Sequence, residues 1–199
     1  MEKLAVLYAT REGQTRRIAE HAASSVRARG WLTDVFDVAE LDNEWTANGY
    51  AAVLLAASIH AGKHEREMIQ FVKRHRTELE GVPSALLSVS LTQANAENPA
   101  RSAEVRTRAQ QDVQRMLDDF YTSTGFRPKR VTAVAGALLY SRYNLLIRHI
   151  MKRISKRAGG PTDTSCDYEL TNWAALDQFI AEFVGAASVG STETACSLA

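Results

Sequence analysis

The stretch from Leu4 to Ile18 constrains the fold more than any other part of this 199-residue sequence. Residues 4–8 form a short apolar run without charge, which is typical of a strand buried on both faces. After Thr15, apolar residues recur at helical spacing, beginning with Ile18. The polar segment Thr10–Thr15 lies between the two. The sequence therefore predicts a buried strand, a tight turn and the start of a helix.

The turn between this strand and helix has the features of a phosphate site. Backbone N–H groups and the positive end of the helix dipole converge there. Gly13 permits a tight turn, and Thr10 and Thr15 supply hydroxyl donors. The Walker spacing and the Gly-x-Gly-x-x-Gly pattern are both missing, which argues against nucleoside triphosphate and dinucleotide sites. The loop resembles the Thr-x-Thr-Gly-x-Thr loop of flavodoxins, which holds the phosphate of FMN. The alternative is an ordinary turn in which Thr15 is the helix N-cap.

Length and composition indicate one ordinary globular domain. The sequence is 45% hydrophobic and 24% charged. It has neither a signal-like N-terminus nor an apolar run of the ~20 residues that span a bilayer, so we expect a cytoplasmic protein. Cys166 and Cys196 lack metal-ligand spacing, and we expect reduced thiols and no metal site.

Strands and helices alternate along the chain, which predicts an α/β fold with a doubly wound, five-stranded parallel sheet in the flavodoxin-like order 2-1-3-4-5. We predict a single flavodoxin-like domain over residues 1–184, with a basic amphipathic insertion at about 138–160 and a disordered tail at 185–199. The strands predicted after the first are Thr33–Val38, Tyr50–Ala57, Ser84–Ser90 and Val131–Ala137. The later helices are predicted at Glu65–Glu80, Ser102–Tyr121 and Asn172–Val184.

In this strand order, ligands bind beyond the carboxyl ends of the strands. We expect the Thr10–Thr15 loop to take the phosphate, and the Ser58–His64 and Ser90–Thr92 loops to flank the isoalloxazine ring. His60 and His64 are candidate proton relays near neutral pH, although no catalytic acid or base is assigned. The candidate cofactor-binding residues are Thr10, Arg11, Glu12, Gly13, Gln14, Thr15, Ser58, Ile59, His60, Gly62, Ser88, Ser90, Leu91 and Thr92.

Glu12 is an unusual residue in a phosphate loop. One interpretation is that it points away to cap the helix start while Arg11 and Arg16 offset its charge. The sequence leaves this open.

Positive charge is concentrated in one segment. Nine Lys and Arg residues and no acidic residue lie between Arg127 and Thr162, which leaves 15 basic against 23 acidic residues elsewhere. Within Tyr140–Arg157, one helical face would carry Tyr143, Leu146, Ile147, Ile150, Met151 and Ile154. The other would carry Arg148, Lys152 and Lys156, with His149 and Arg153 toward its flank. This pattern is typical of a helix on an anionic membrane surface, and packing on the protein's own core is the alternative. No nucleic-acid-binding motif appears, so we expect no such partner.

Over nearly the whole chain, the sequence resembles the bacterial flavodoxin-like, quinone-dependent protoporphyrinogen IX dehydrogenases. The resemblance rests on Thr10–Thr15, Ala57–Ile59 with Gly62 and His64, Pro83–Ala85 with Ser88–Val89, Ala135–Leu138, Arg142–Tyr143, and Gly159–Gly160 followed by Thr162–Thr164. The sequence departs from these relatives at Leu139, Leu145 and Leu146.

The resemblance implies FMN-dependent, six-electron oxidation of protoporphyrinogen IX to protoporphyrin IX in haem biosynthesis. The electrons would pass to menaquinone or ubiquinone at the cytoplasmic face of the inner membrane. Arg142 and Arg148 could pair with the substrate's propionates, and the candidate substrate or membrane residues are Arg142, Tyr143, Arg148, Lys152, Arg153 and Lys156. The alternatives are a flavodoxin-type electron shuttle, another FMN-dependent quinone reductase, and a membrane-bound scaffold without flavin. The sequence leaves open whether the protein forms a homodimer.

Overall fold

A computed structural model describes residues 1–42, 44–157 and 162–196. Gly159 and Gly160, which belong to the predicted insertion, lie outside the described residues. The strands are β1 (Lys3–Ala9), β2 (Leu32–Asp37), β3 (Ala52–His60), β4 (Lys63–His64), β5 (Ser84–Ser90), β6 (Arg130–Ala135), β7 (Ala137–Leu138) and β8 (Tyr168–Glu169). The helices are α1 (Gln14–Arg27), α2 (Arg66–Arg74), α3 (Arg76–Glu80), α4 (Leu91–Glu97), α5 (Ala103–Thr124), α6 (Leu145–Arg157) and α7 (Trp173–Cys196), with a 3₁₀ turn at Tyr140–Arg142.

Over the described residues, five strands run parallel in the order β2-β1-β3-β5-β6. This is the predicted flavodoxin-like order 2-1-3-4-5, which is confirmed. The extra strand β4 does not change it, because β4 pairs only with β3, as a short hairpin. Strands β7 and β8 form a separate antiparallel ribbon. In the main sheet, Ala9 pairs with Ala57, and Ser58 pairs with Val89. The carboxyl ends of β1, β3 and β5 therefore meet at one edge.

The central strand β1 is buried on both faces, as its unbroken apolar sequence predicts. Leu4 and Val6 pack in a core with α1 and α7. Ala5 and Leu7 point to the opposite face and pack in a second core with α2 and α5. Two helical layers thus enclose the sheet, and burial of each large side chain contributes about 1.5–3 kcal/mol.

Several predicted element boundaries differ from the structure. Strand β3 continues through Ser58, Ile59 and His60, which were expected in a loop. The turn that follows has positive φ at Ala61 (49°) and Gly62 (80°), as a two-residue hairpin turn requires. Helix α4 forms where no helix was predicted, and it includes Leu91 and Thr92, which were expected in a loop. It starts where the Ser90 hydroxyl accepts a hydrogen bond from the Gln93 N–H.

Helix α7 extends beyond its predicted end at Val184 to Cys196, through most of the residues predicted as a disordered tail. Ala187 is 2% exposed and packs in the core shared by α1 and α7. The Ser188 hydroxyl donates to the Glu2 carboxylate at 3.3 Å. These contacts, together with the high helix propensity of alanine, favour continuation of the helix. Residues 197–199 lie outside the described part of the chain.

Candidate functional site

A cavity of about 380 Å³ lies at the edge where β1, β3 and β5 end. It brings together the three loops that the sequence predicted as a ligand site. Twelve of the fourteen candidate cofactor residues line it. The two that do not are Gly13 and Ser88, which both belong to the described part of the chain. Sequence reasoning missed other lining residues, among them Glu65 on the approach to α2, Met116 of α5, and Gly136.

At one end of the cavity, α1 begins without a capping side chain in the described structure and without an acidic residue in its first turn. Its N-cap is Gly13, with φ of 92°, and not Thr15, which is buried inside the helix. The Gly13 N–H donates to the Thr10 hydroxyl at 3.0 Å. The first-turn N–H groups and the helix dipole make this end of the cavity suited to an anion.

The structure decides the orientation of Glu12. Its carboxylate accepts a hydrogen bond from the Tyr143 hydroxyl at 2.9 Å, and its carbonyl oxygen accepts one from the Arg142 guanidinium at 3.1 Å. Arg11 and Arg16 do not offset the Glu12 charge as expected, because they pair with Glu65 and Glu20 at 3.0 and 2.8 Å. Burial and the neighbouring Glu12 carboxylate raise the pKa of Tyr143, so its hydroxyl remains a donor.

Gly13 combines a backbone conformation that favours glycine with a close contact to Arg142. A Cβ atom added to Gly13 would lie 2.7 Å from Arg142 Nη1, and the positive φ would strain any other residue. The guanidinium of Arg142 therefore lies directly against the turn. This contact joins the 3₁₀ segment before α6 to the start of α1.

Gln14 connects the same turn to residues that follow the insertion. Its amide nitrogen donates to the Glu169 carboxylate at 2.7 Å and to the Thr171 hydroxyl at 3.0 Å. The Thr171 hydroxyl in turn donates to the carbonyl oxygen of Ala135 at the end of β6. Arg17 completes the cluster with an ion pair to Glu169 at 3.0 Å. Sequence reasoning missed the contacts of Gln14 and Arg17 because their partners lie more than 150 residues away in the sequence.

Glu65 connects two walls of the cavity. Its side chain is 5% exposed and accepts hydrogen bonds from the Arg11 guanidinium at 3.0 Å and from the Ser58 hydroxyl at 3.2 Å. A glutamate at the start of a predicted amphipathic helix gave no signal of this burial in the sequence. The carboxylate holds the end of β3 to the loop after β1.

His64 does not have the environment of a proton relay. It is buried, its Nε2 atom lies 2.9 Å from the Ser88 hydroxyl, and its ring packs against Phe120. Burial lowers the pKa of His64 to about 4, so the imidazole is neutral at neutral pH. This corrects the expected role of His64, and Ser88 turns out to be its buried partner and not a cavity residue. His60 is exposed and lines the cavity.

Helix α6 covers the cavity with one side and exposes apolar residues on another. Ile150 and Met151 line the cavity, whereas Leu145 is 82% exposed and Leu146 is 69% exposed. Lys152, Arg153 and Lys156 are exposed as predicted. None of the described helices is long and apolar enough to cross a membrane.

Two residues of the predicted basic helix differ from the prediction, Tyr143 in its position and Arg148, which lies on α6, in its environment. Tyr143 precedes α6 and is buried beside Tyr140, so it is not on the apolar face of the helix. Arg148 is half-buried and donates to the carbonyl oxygens of Tyr140 and Tyr143 at 3.1 and 3.3 Å. These bonds hold the segment before α6 in place.

Comparison with known proteins relates this site to a family. A flavodoxin domain model matches residues 5–165. The chain is 36% identical over 180 residues to the protoporphyrinogen IX dehydrogenase (quinone) of Escherichia coli K12, covering 90% of this chain and 93% of that protein. This chain belongs to that dehydrogenase family. The protoporphyrinogen IX dehydrogenase (quinone) of Leishmania major is 34% identical over 185 residues, with 91% of this chain and 74% of that protein covered.

Solved structures show the same fold. A short-chain flavodoxin associated with a bacterial microcompartment has a TM-score of 0.52 at 14% identity, covering 94% of this chain and 99% of that one. An apo NADH:FMN oxidoreductase also has a TM-score of 0.52 at 14% identity, covering 94% of this chain and 90% of that one. The dehydrogenase family is thus one of flavodoxin-like oxidoreductases, which implies a flavin cofactor.

The residues at the site fit such a group. Uncapped N–H groups of α1 and the hydroxyls of Thr10 and Thr15 offer anion donors at one end of the cavity. Ile59, Leu91, Met116 and Met151 supply apolar walls suited to a ring system. The volume of about 380 Å³ lies in the usual range for small-molecule pockets.

Proposed function

We propose that this dehydrogenase binds FMN in the cavity and oxidises protoporphyrinogen IX to protoporphyrin IX, with a membrane quinone as the final electron acceptor. The observation that carries the proposal is the composition of the cavity. It joins the uncapped N-terminus of α1 to apolar side chains of α6 within one space. The relatives named above support the choice of substrate and acceptor.

The phosphate of FMN would bind at the start of α1. The N–H groups of the first turn and the hydroxyls of Thr10 and Thr15 are its donors. Residues of β3 and of the Ser90–Thr92 segment would flank the ring, with Ile59 and Leu91 as apolar contacts. When bound, FMN would supply two-electron transfer, and loss of six electrons from the porphyrinogen requires three such events.

The protein's own task is to orient an apolar tetrapyrrole that carries two propionates. Ile150 and Met151 of α6 give the cavity an apolar side, and exposed Lys152 and Arg153 are next along the helix. Arg142 is exposed and donates to one carbonyl oxygen, that of Glu12, which leaves other N–H groups of its guanidinium to pair with a propionate. Arg148 is half-buried and donates to two carbonyl oxygens. We therefore favour Arg142 over Arg148 as the propionate partner.

The membrane partner follows from the exposed side of α6. Leu145, Leu146 and Ile150 present apolar surface close to a cluster of cations at Lys152, Arg153 and Lys156. Such a helix is suited to dock on an anionic lipid surface. Docking there would place the cavity beside the compartment that holds quinone, at the cytoplasmic face of the inner membrane.

The proposal is tested by following porphyrin fluorescence with FMN-loaded protein and lipid vesicles, with and without menaquinone or ubiquinone. We expect sustained porphyrin formation only when quinone is present, and none with protein stripped of flavin. Quinone reduction from another electron donor, with no porphyrin formed from porphyrinogen, would instead identify a quinone reductase or an electron shuttle.

A further inference from the structure

Glu12 poses an electrostatic problem for the proposed phosphate site. Glu12 lines the cavity and lies one residue before the N-cap of α1. A carboxylate repels a phosphate, and the repulsion is strong in a partly buried site where water screens it poorly. Some feature of the fold must therefore control where this carboxylate lies.

Tyr143 is placed to control the position of the Glu12 carboxylate. It is 6% exposed, packs edge-on against Tyr140 with ring centroids 5.9 Å apart, and belongs to an apolar cluster with Leu138. Its carbonyl oxygen is fixed by Arg148. The hydroxyl that donates to Glu12 thus belongs to a side chain whose ring is held by packing. A hydrogen bond to a charged acceptor is among the stronger hydrogen bonds in proteins.

Arg142 acts on the same residue from the backbone side. Its guanidinium donates to the Glu12 carbonyl oxygen and lies against Gly13. The side chain and the main chain of Glu12 are therefore both engaged by neighbouring residues of the insertion. Arg11 and Arg16, the cations closest in sequence, are paired elsewhere.

We propose that Tyr143 is a positioning residue for the phosphate site, which acts by holding the Glu12 carboxylate in an orientation compatible with a bound phosphate. The inference rests on the proposed FMN function. It has a specific consequence, because only a flavin that carries a phosphate is sensitive to the Glu12 charge. Tyr143 therefore contributes to the preference for FMN over riboflavin.

The test compares the affinities of FMN and riboflavin, measured by quenching of flavin fluorescence on titration with flavin-free protein. In Tyr143→Phe, we expect FMN affinity to fall about tenfold, in line with the loss of a hydrogen bond to a charged group, while riboflavin affinity stays unchanged. The double variant Glu12→Gln/Tyr143→Phe removes the charge as well. We expect it to recover FMN affinity to within about threefold of wild type.

Tyr50→Phe is the matched control. Its hydroxyl also donates to a carboxylate, that of Asp34 at 2.7 Å, but Asp34 belongs to strand β2 and does not line the cavity. This variant should bind both flavins like wild type. An equal loss of FMN and riboflavin affinity in Tyr143→Phe, or no rescue by Glu12→Gln, would overturn the inference. Failure of the wild-type protein to bind FMN would instead overturn the proposed function itself.

Discussion

Glu65 is the residue whose environment departs most from what its type predicts. Glutamate is almost never fully buried unless it is paired, and Glu65 meets this condition through Arg11 and Ser58. We expect Glu65→Ala to lower the free energy of unfolding by about 2 kcal/mol, because it removes two hydrogen bonds to a charged group. Urea unfolding provides the measurement.

Glu20→Ala is the control for this prediction. Glu20 pairs with Arg16 at 2.8 Å, but both side chains are at least half exposed, and such surface pairs contribute about 0–1 kcal/mol. Equal effects of the two substitutions would show that the buried contacts of Glu65 add nothing to stability.

His64 makes stability depend on pH in a defined window. The unfolded chain binds a proton at this residue below about pH 6.5, whereas the folded chain does so only below about pH 4. Between these values the unfolded state holds more protons, so stability falls as the pH is lowered, by about 3 kcal/mol in total. The His64→Gln variant removes this titration.

Urea unfolding of wild type and His64→Gln at pH 7 and pH 4 isolates the contribution of the histidine from that of the carboxylates. The variant should lose less stability than wild type over this interval. Parallel losses in the two proteins would mean that His64 is readily protonated in the folded state.

At the scale of elements, α6 is the helix most directly linked to the proposed function. Replacing Lys152, Arg153 and Lys156 by glutamine should lower the affinity for anionic liposomes at low salt by about a hundredfold, measured by sedimentation, since each cation near such a surface contributes about 1 kcal/mol. Flavin content should not change. Arg148 is left intact because it holds the backbone before α6.

The control removes the same number of charges from another surface. Lys73, Arg74 and Arg108 are exposed and lie on α2 and α5. Their replacement by glutamine should leave liposome binding close to that of wild type. Equal weakening in both triple variants would indicate attraction through overall charge and contradict docking through α6.

The elements also show what sequence reasoning can and cannot reach. Strand β5 was predicted with its observed bounds, Ser84–Ser90, because it is a short, uncharged and mostly apolar segment of the kind that forms buried strands. Helix α4 was missed because its polar residues lack an apolar period. The end of α7 was missed because its small residues resemble a disordered tail, while burial of Ala187 is visible only in three dimensions.

For the whole molecule, the sheet order and the position of the cavity follow from the alternation of strands and helices. The interactions that complete the site do not. Tyr143 and Glu12 are 131 residues apart, and Gln14 and Thr171 are 157 residues apart. Side-chain pairs at such separations leave no local pattern in a single sequence. The sequence thus predicted which segments form the site, but it missed the side-chain contacts that hold the loop after β1.

This arrangement gives two roles in the proposed function to the segment that begins at Arg142 in the insertion and ends at Thr171 beyond it. One arm, at Arg142 and Tyr143, contacts Glu12 and Gly13, and the other, at Glu169 and Thr171, contacts Gln14. Helix α6 lies between these arms in the chain and covers the cavity. The same segment therefore supports the phosphate end of the site and presents the surface proposed for the membrane.

The central claim is that one bound flavin accepts electrons from protoporphyrinogen IX two at a time. The most direct measurement is an anaerobic titration of FMN-loaded protein with protoporphyrinogen IX, without quinone, following flavin absorbance and porphyrin fluorescence together. We expect about three flavins to be bleached for each protoporphyrin formed, and excess quinone to restore the flavin absorbance and sustain turnover. A flavin that stays oxidised in the presence of excess porphyrinogen would contradict the proposed function.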